Sequence, residues 1–279
     1  MLKRTLMKTL IAGSVIAAFS VPAFADAVSD AMEAVKKNAG QKTVWDGPTS
    51  GPKAAEGKTI VVLAADMKNG GILGVTKGVE EAAARIGWEV RVLDGAGSIQ
   101  GRTAAFGQAL ALQPDGIIIN GFDAVEQQAA LDQAKEIPIA AWHAGPVIGC
   151  DPGNGIFVNV STDAMEVSAS AAQWAFADAG GKPGVVIFTD STYQIAIAKA
   201  DRIKETIEKL GGTVLEYVDT PIADTSNRMP TLTTALLQKY GESWTHALAI
   251  NDIYFDFMGP ALAAAGIAGD GSPKAVAAG

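Results

Sequence analysis

Residues Thr59–Asp66 read TIVVLAAD, and Pro183–Asp190 read PGVVIFTD. Each is an apolar run closed by an aspartate, the pattern of a strand buried on both faces. Each leads into a helix-like run, Lys77–Ile86 in the first case and Lys199–Leu210 in the second. A glycine then precedes a new strand, Gly87-Trp88-Glu89-Val90 and Gly211-Gly212-Thr213-Val214. Asp66 maps onto Asp190 and Gly87 onto Gly211 at one offset of 124 positions. A doubled strand–helix–strand unit predicts two similar α/β lobes. Two such lobes face each other across a cleft suited to capturing a small solute.

The alternation extends outward from these two stretches. In the first half, strands are expected at Ile60–Ala65, Glu89–Leu93, Gly116–Asn120, Ile137–Trp142 and Ile156–Val160. Between the first four lie helices at Gly74–Ile86, Arg102–Leu112 and Val125–Ala134. The first of these carries apolar residues at Val75, Val79, Ala82, Ala83 and Ile86, a helical spacing, and Gly87 can stop it in the left-handed conformation. This order predicts a parallel open sheet with helices on both faces. A long helix at Asp163–Ala177, capped by Thr162 or Asp163, follows. The second half then reads strand Val185–Thr189, helix Ile197–Leu210, strand Thr213–Val218, helix Met229–Lys239, strand His246–Ile250, helix Phe257–Ala265 and strand Lys274–Ala278. The expected division is a leader over 1–25, an extension over 26–57 with a helical start at Ala27–Lys37, lobe one over 58–160 and lobe two over 161–279. The last strand has no helix after it, so a C-terminally incomplete second lobe is expected.

Lys3, Arg4 and Lys8 precede the apolar run Leu10–Val21, and Ala23-Phe24-Ala25 places small residues where a signal peptidase reads. Cleavage after Ala25 would start the chain at Asp26. The apolar run is short for a bilayer span of about 20 residues. With no cysteine at the cleavage site to carry a lipid, a soluble periplasmic protein is expected. Removing three cations and no anions moves the formal charge from −8 to −11, a surface that disfavours nucleic acid and anionic membrane. Cys150 is the single cysteine, so no intrachain disulfide can form. A buried thiol or an intermolecular pair are the alternatives, the first being the commoner.

Ligands of open parallel sheets bind beyond the carboxyl ends of the strands. Those ends are polar here. Lobe one offers Asp66 and Asn69, then Asn120, Phe122 and Asp123, then Trp142 and His143. Lobe two offers Asp190 and Tyr193, Lys199 early in a helix, and Asn251 with Asp252. Carboxylates and amides suit the hydroxyls of a polyol or sugar, and rings suit its C–H face. Each has a second reading. An Asp or Asn after a strand commonly caps the next helix, which would account for Asp66, Asp123 and Asp190. Trp142 could be core.

The same residues argue against an enzyme. Gly70-Gly71-Ile72-Leu73-Gly74 is neither a GxGxxG fingerprint nor a Walker loop. There is no GxSxG elbow, no HExxH and no Cys/His cluster, and His143 and His246 are the only histidines. No catalytic activity, cofactor or metal site is expected.

Three segments carry a family resemblance: 59–95, TIVVLAADMKNGGILGVTKGVEEAAARIGWEVRVLDG; 113–145, QPDGIIINGFDAVEQQAALDQAKEIPIAAWHAG; and 249–267, AINDIYFDFMGPALAAAGI. Together they resemble periplasmic sugar-binding proteins of ABC importers, of the type I fold shared by ribose- and galactose-binding proteins, over about Lys58–Gly279. The resemblance implies ligand roles for Asp66 and Asn69, for the turn Asn120-Gly121-Phe122-Asp123, for Lys199 where relatives carry arginine, and for Asn251-Asp252. Gly70-Gly71-Ile72 stands where relatives carry stacking aromatics, and Trp142-His143 stands where they carry an aspartate. Those departures point away from a plain hexose or pentose, towards a modified sugar, a polyol or another small polar solute. The family's next Gly-x-Asp would begin at Gly279. The implied partners are a small polar ligand and a membrane permease, for a monomeric protein whose lobes close over the solute. A chemoreceptor or sensor kinase is the alternative partner.

Overall fold

A computed structural model describes residues 21–279 apart from residues 42 and 46. The leader reading over 1–25 therefore falls largely outside the described residues.

Helix α1 (Val21–Asn38) comes first. Lobe one then runs β1 (Thr59–Ala64), α2 (Gly70–Ile86), β2 (Glu89–Asp94), α3 (Ile99–Leu112), β3 (Gly116–Asn120), α4 (Gln128–Leu131), β4 (Ile139–Trp142), β5 (Gly149–Asp151) and β6 (Ile156–Val160). Its six strands lie in the order β2-β1-β3-β4-β6-β5, all parallel except β5, which runs antiparallel along β6. The chain passes through Ser161–Asp163 to the second sheet. There follow α5 (Ala164–Asp178), β7 (Gly184–Thr189), α6 (Gln194–Leu210), β8 (Thr213–Asp219), α7 (Thr225–Tyr240), β9 (His246–Ala249), α8 (Ile253–Ala264) and β10 (Lys274–Ala277). These four strands are parallel in the order β10-β9-β7-β8.

The doubled unit is real in three dimensions. β1 is buried along nearly its whole length and β7 along all of it. Helices cover both faces, which is why these runs are continuously apolar rather than alternating. Gly87 and Gly211 end the matching helices at φ 73° and 90°, each returning its N–H to a carbonyl of the last turn. A Cβ at such an angle is strained, so glycine is the residue that lets both chains turn back into the sheet. In lobe two Phe188 stacks on Tyr254 at 5.8 Å and approaches Trp244 at 6.4 Å, and all three are fully buried. Burying a side chain such as Phe stabilises by about 1.5–3 kcal/mol.

The structure differs from the sequence reading in several details, among them the earlier starts of α2 at Gly70, α3 at Ile99, α6 at Gln194 and α7 at Thr225, and the later start of β4 at Ile139. The helix expected at Val125–Ala134 is a 3-10 turn (Ala124–Gln127) followed by the single turn of α4. Asp123 accepts the amide of Val125 while Glu126 bonds back to the Asp123 carbonyl, which tightens the start into three-residue bonding. The edge strand β5 carries no periodic pattern and was not expected. α8 begins at Ile253 rather than Phe257, because Asn251 accepts the Ile253 amide and starts the helix earlier. Cys150, on β5, is exposed rather than buried.

α1 extends the expected helical start and lies on lobe two. Its Ala31 packs with Phe176 and Ala177 of α5, and Asn38 donates to Ser170 Oγ at 2.9 Å. The chain then crosses to lobe one, where Trp88 Nε1 donates to the Ala55 carbonyl at 2.6 Å.

Candidate functional site

Parallel register brings the strand ends to one level. Ala64 pairs with Asn120 and Asn120 with Trp142, so the turns after β1, β3 and β4 open on the same edge of sheet one. The turns after β7, β8 and β9 do the same for sheet two. The two edges enclose a cavity of about 590 Å³.

The wall from lobe one begins at the N-terminus of α2. Asn69 Oδ1 caps this helix by accepting the amides of Gly71 and Ile72. Gly70 and Gly71 then present bare backbone to the cavity. A Cβ on Gly71 would sit 3.6 Å from the Trp142 ring, so the missing side chain leaves that ring accessible. Gly121 completes the ledge. Its φ is 87°, and a Cβ there would come 2.8 Å from Ile72 Cγ1. Trp142 and His143 close this wall, with ring centroids 4.2 Å apart. His143 takes the left-handed φ of 49°, which turns the chain out of β4.

The wall from lobe two is built on α6 and α8. Tyr193 immediately precedes α6 without a side-chain cap bond, and Lys199 lies about one and two-thirds turns further along. Lys199 is buried, and its Nζ donates to the Ala278 carbonyl at 2.6 Å. Asn251 also lines the cavity, and its Nδ2 makes no hydrogen bond among the described residues. Asp252 and Asp256 add exposed carboxylates, and Ile195, Ile222, Ile250 and Phe257 add apolar surface.

Burial sets the ionisation of the wall. It lowers Lys199 to about 8. Burial first, and the Lys199 charge second, lower His143 to about 4, so the imidazole is neutral at pH 7. Burial likewise raises the Tyr193 phenol to about 12. At neutral pH the cavity therefore carries one enclosed ammonium, a neutral imidazole, a neutral phenol and amide groups, with the exposed side chains of Lys68, Asp252 and Asp256, beside rings and aliphatic side chains. Such a surface can hydrogen-bond hydroxyls and pack on C–H faces. Among the described residues, no group of three or more His, Cys, Asp or Glu side chains is placed to hold a metal ion.

Of the residues singled out from sequence, Asn69, Trp142, His143, Tyr193, Lys199, Asn251 and Asp252 meet around this cavity. Asp66, Asn120, Phe122, Asp123 and Asp190 lie outside its lining, engaged by the protein itself. Asp66 Oδ1 accepts the Lys68 amide at 2.9 Å, and Asp190 Oδ1 accepts the Thr192 amide at the same distance. Asp190 Oδ2 further accepts the Ile222 amide at 2.8 Å. Asn120 Nδ2 donates to Ile72 O at 3.0 Å and to Thr76 Oγ1 at 2.9 Å, tying α2 to the sheet. Phe122 is core, and Asp123 caps the turn that follows it. The repeated aspartates thus satisfy matching backbone turns in the two lobes.

The periplasmic binding protein domain family matches residues 60–279. The chain belongs to that family. A search of curated protein sequences finds no match. Solved structures of similar fold include an ABC sugar transporter subunit from Rhodobacter sphaeroides 2.4.1, 21% identical, with a TM-score of 0.64 over 76% of this chain and 75% of that one. Another is an ABC transporter solute-binding protein from Agrobacterium vitis with bound allitol, 22% identical, with a TM-score of 0.66 over 76% of this chain and 73% of that one. A third is a twin-arginine translocation pathway signal protein from Burkholderia phytofirmans, 18% identical, with a TM-score of 0.66 over 77% and 69% of the two chains. The two-lobed architecture is the type I fold of periplasmic binding proteins.

This periplasmic binding protein domain also uses residues that sequence reasoning passed over. Ile72, Ile195, Ile222, Ile250, Asp256 and Phe257 all line the cavity. Asp256 was legible in principle, since a helix starting just after Asn251-Asp252 places it in the first turn of α8. The isoleucines carry no such signal, because an apolar residue beside a cleft reads like one in the core. Arg102 was placed only at the start of a helix. It is fully buried and reaches lobe two.

Proposed function

We propose that this protein is an extracytoplasmic solute-binding component of an ABC importer. It takes a sugar, a polyol or a related small polar solute between its lobes and hands it to a membrane permease. The reading rests on one observation: the cavity between the two sheet edges is lined by polar and aromatic side chains from both lobes, Asn69 and Trp142-His143 on one side and Tyr193, Lys199 and Asn251 on the other. A solute touching both sets is held fully only when the lobes are together, so binding draws the protein towards its closed form. Family membership supports the reading, as do the sugar- and polyol-binding proteins among its structural neighbours. The glycine ledge at Gly70-Gly71 leaves the Trp142 ring accessible to a solute. The leader over 1–25 fits export to the periplasm, and the cavity chemistry fits binding without turnover.

A thermal-shift screen of the purified protein against pentoses, hexoses, polyols and sugar acids tests this. A ligand that binds the folded state alone raises the melting temperature by mass action. The expected result is a rise with one chemical group of solutes, abolished by Asn251→Ala in a variant that melts normally when free. No rise with any solute, together with no heat of binding by calorimetry, overturns the proposal.

A further inference from the structure

We infer that Arg102 is a latch between the lobes, a positioning residue that weights the cleft towards closure through contacts made by the protein alone. The inference refines the solute-binding reading, and its test needs no solute.

Arg102 sits in the first turn of α3 in lobe one and is fully buried. Its Nη2 donates to Glu126 Oε2 at 2.7 Å within its own lobe and to the Thr192 carbonyl at 3.2 Å in the other. Its guanidinium carbon lies 5.7 Å from the Phe122 ring centroid in lobe one and 4.7 Å from the Tyr193 ring centroid in lobe two. One planar cation therefore touches a carboxylate and a ring at home, and a carbonyl and a ring across the cleft. Only arginine combines a forked donor with a face that stacks on aromatics.

The surroundings are shaped for this contact. A Cβ on Gly95 would fall 2.6 Å from Arg102 Cγ, so the bare glycine leaves room for the arginine stem. A Cβ on Gly97 would fall 2.9 Å from the Ala223 Cβ of lobe two, so the same turn lets the lobes approach. On the far side the acceptor is held still. Thr192 donates both its amide and its hydroxyl to Asp190 Oδ1, at 2.9 and 2.6 Å. Tyr193, the ring that Arg102 covers, lines the solute cavity. Arg102 thus packs behind a cavity wall without lining the cavity.

Opening the lobes would part Arg102 from Thr192 and Tyr193 and leave it with Glu126. With the lobes placed as they are, Nε and Nη1 have no hydrogen-bond partner among the described residues. The across-cleft hydrogen bond and ring contact therefore carry much of what holds this buried cation in place. The ratio of closed to open protein in the absence of solute depends on them, and a solute that needs the closed form binds in proportion to that population.

Single-molecule energy transfer on the whole solute-free protein tests the latch. In a Cys150→Ser background, dyes are attached at Lys77→Cys in lobe one and Lys209→Cys in lobe two, both exposed. Arg102→Lys keeps the charge beside Glu126 but loses the flat guanidinium face and the Nη2 donor that reaches Thr192. It should lower the closed-to-open ratio by about tenfold or more, the lower bound set by losing one hydrogen bond to a charged group. Arg102→Met should lower it at least as far. Both variants should keep a cooperative melt by circular dichroism. An unchanged distance distribution in Arg102→Lys overturns the proposal, as does a wild-type protein already as open as that variant. Failure of both variants to fold also overturns it, assigning Arg102 to the core. A failed solute screen alone leaves this result standing, so the two readings fail separately.

Discussion

Lys199 Nζ donates to the carbonyl oxygen of Ala278 at 2.6 Å, joining the second turn of α6 to the residue just past β10. The contact carries an ammonium into a buried position at the edge of the cavity. Burial opposes the charged form and lowers the pKa from 10.5 to about 8.

The sign of the resulting pH dependence follows from that direction. Between pH 8 and 10.5 the folded protein has released the Lys199 proton while the unfolded chain still holds it. Unfolding there takes up a proton, so stability contributed by this group rises with pH across the window. Melting curves at successive pH values for wild type and Lys199→Met should show a difference that changes over this range. A difference flat from pH 7 to 11 would contradict the burial of the ammonium.

His143 should act at the acid end. Its pKa is lowered from 6.5 to about 4 by burial and then by the Lys199 charge, so the folded state favours neutral imidazole. The contribution is complete above pH 6.5 and is lost as the pH falls towards 4. His143→Asn tolerates the left-handed backbone at this position and does not titrate. Subtracting its denaturation profile from the wild-type profile should leave a fall in stability on acidification within that window.

Asn120 offers a test of a residue that touches α2 rather than the cavity. Its two donor bonds to Ile72 O and Thr76 Oγ1 hold the helix whose start forms the glycine ledge. Asn120→Ala leaves buried acceptors with one donor fewer and should cost about 1–3 kcal/mol in urea unfolding. Solute binding should weaken only as far as the ledge moves. Complete loss of binding with unchanged stability would instead make Asn120 a ligand contact.

Gly97 lies against Ala223 of lobe two. Its φ is 70°, and a Cβ there would meet the Ala223 Cβ and Asp66 Oδ2, each at 2.9 Å. Gly97→Ala should act as a wedge, raising the radius of gyration measured by small-angle scattering. A solute that needs the closed form should then bind roughly tenfold more weakly or worse, about 1.4 kcal/mol. Unchanged scattering and affinity would show that the turn gives way instead.

Much of the fold could be read along the chain because its causes are local. Strands buried on both faces must be apolar throughout, which made TIVVLA and GVVIFT legible. Helix ends depend on residues nearby in the chain, which made the Asp163 cap and the Gly87 stop legible, whereas Asn69 reads along the chain as a site residue and not as the cap of α2. The site was less legible because one residue type serves two purposes. Asp66, Asp190, Asn69 and Asn251 all follow strands, and all four bond backbone amides just ahead of them. Only Asn69 and Asn251 also reach the cavity. Spacing alone does not separate a side chain held wholly in its turn from one that keeps a free amide at the cleft.

The amino-acid sequence by itself determined two parallel α/β lobes, the order of their elements and the edge on which the strand-end turns would open. Period, caps and apolar runs act over a few residues and need no partner from elsewhere. The tertiary structure decided which polar residues face the cleft and what joins the lobes. Arg102 meets the carbonyl of Thr192 across 90 positions of sequence. Such a contact exists only when two separately folded edges are brought together, and no periodicity within either half encodes their distance.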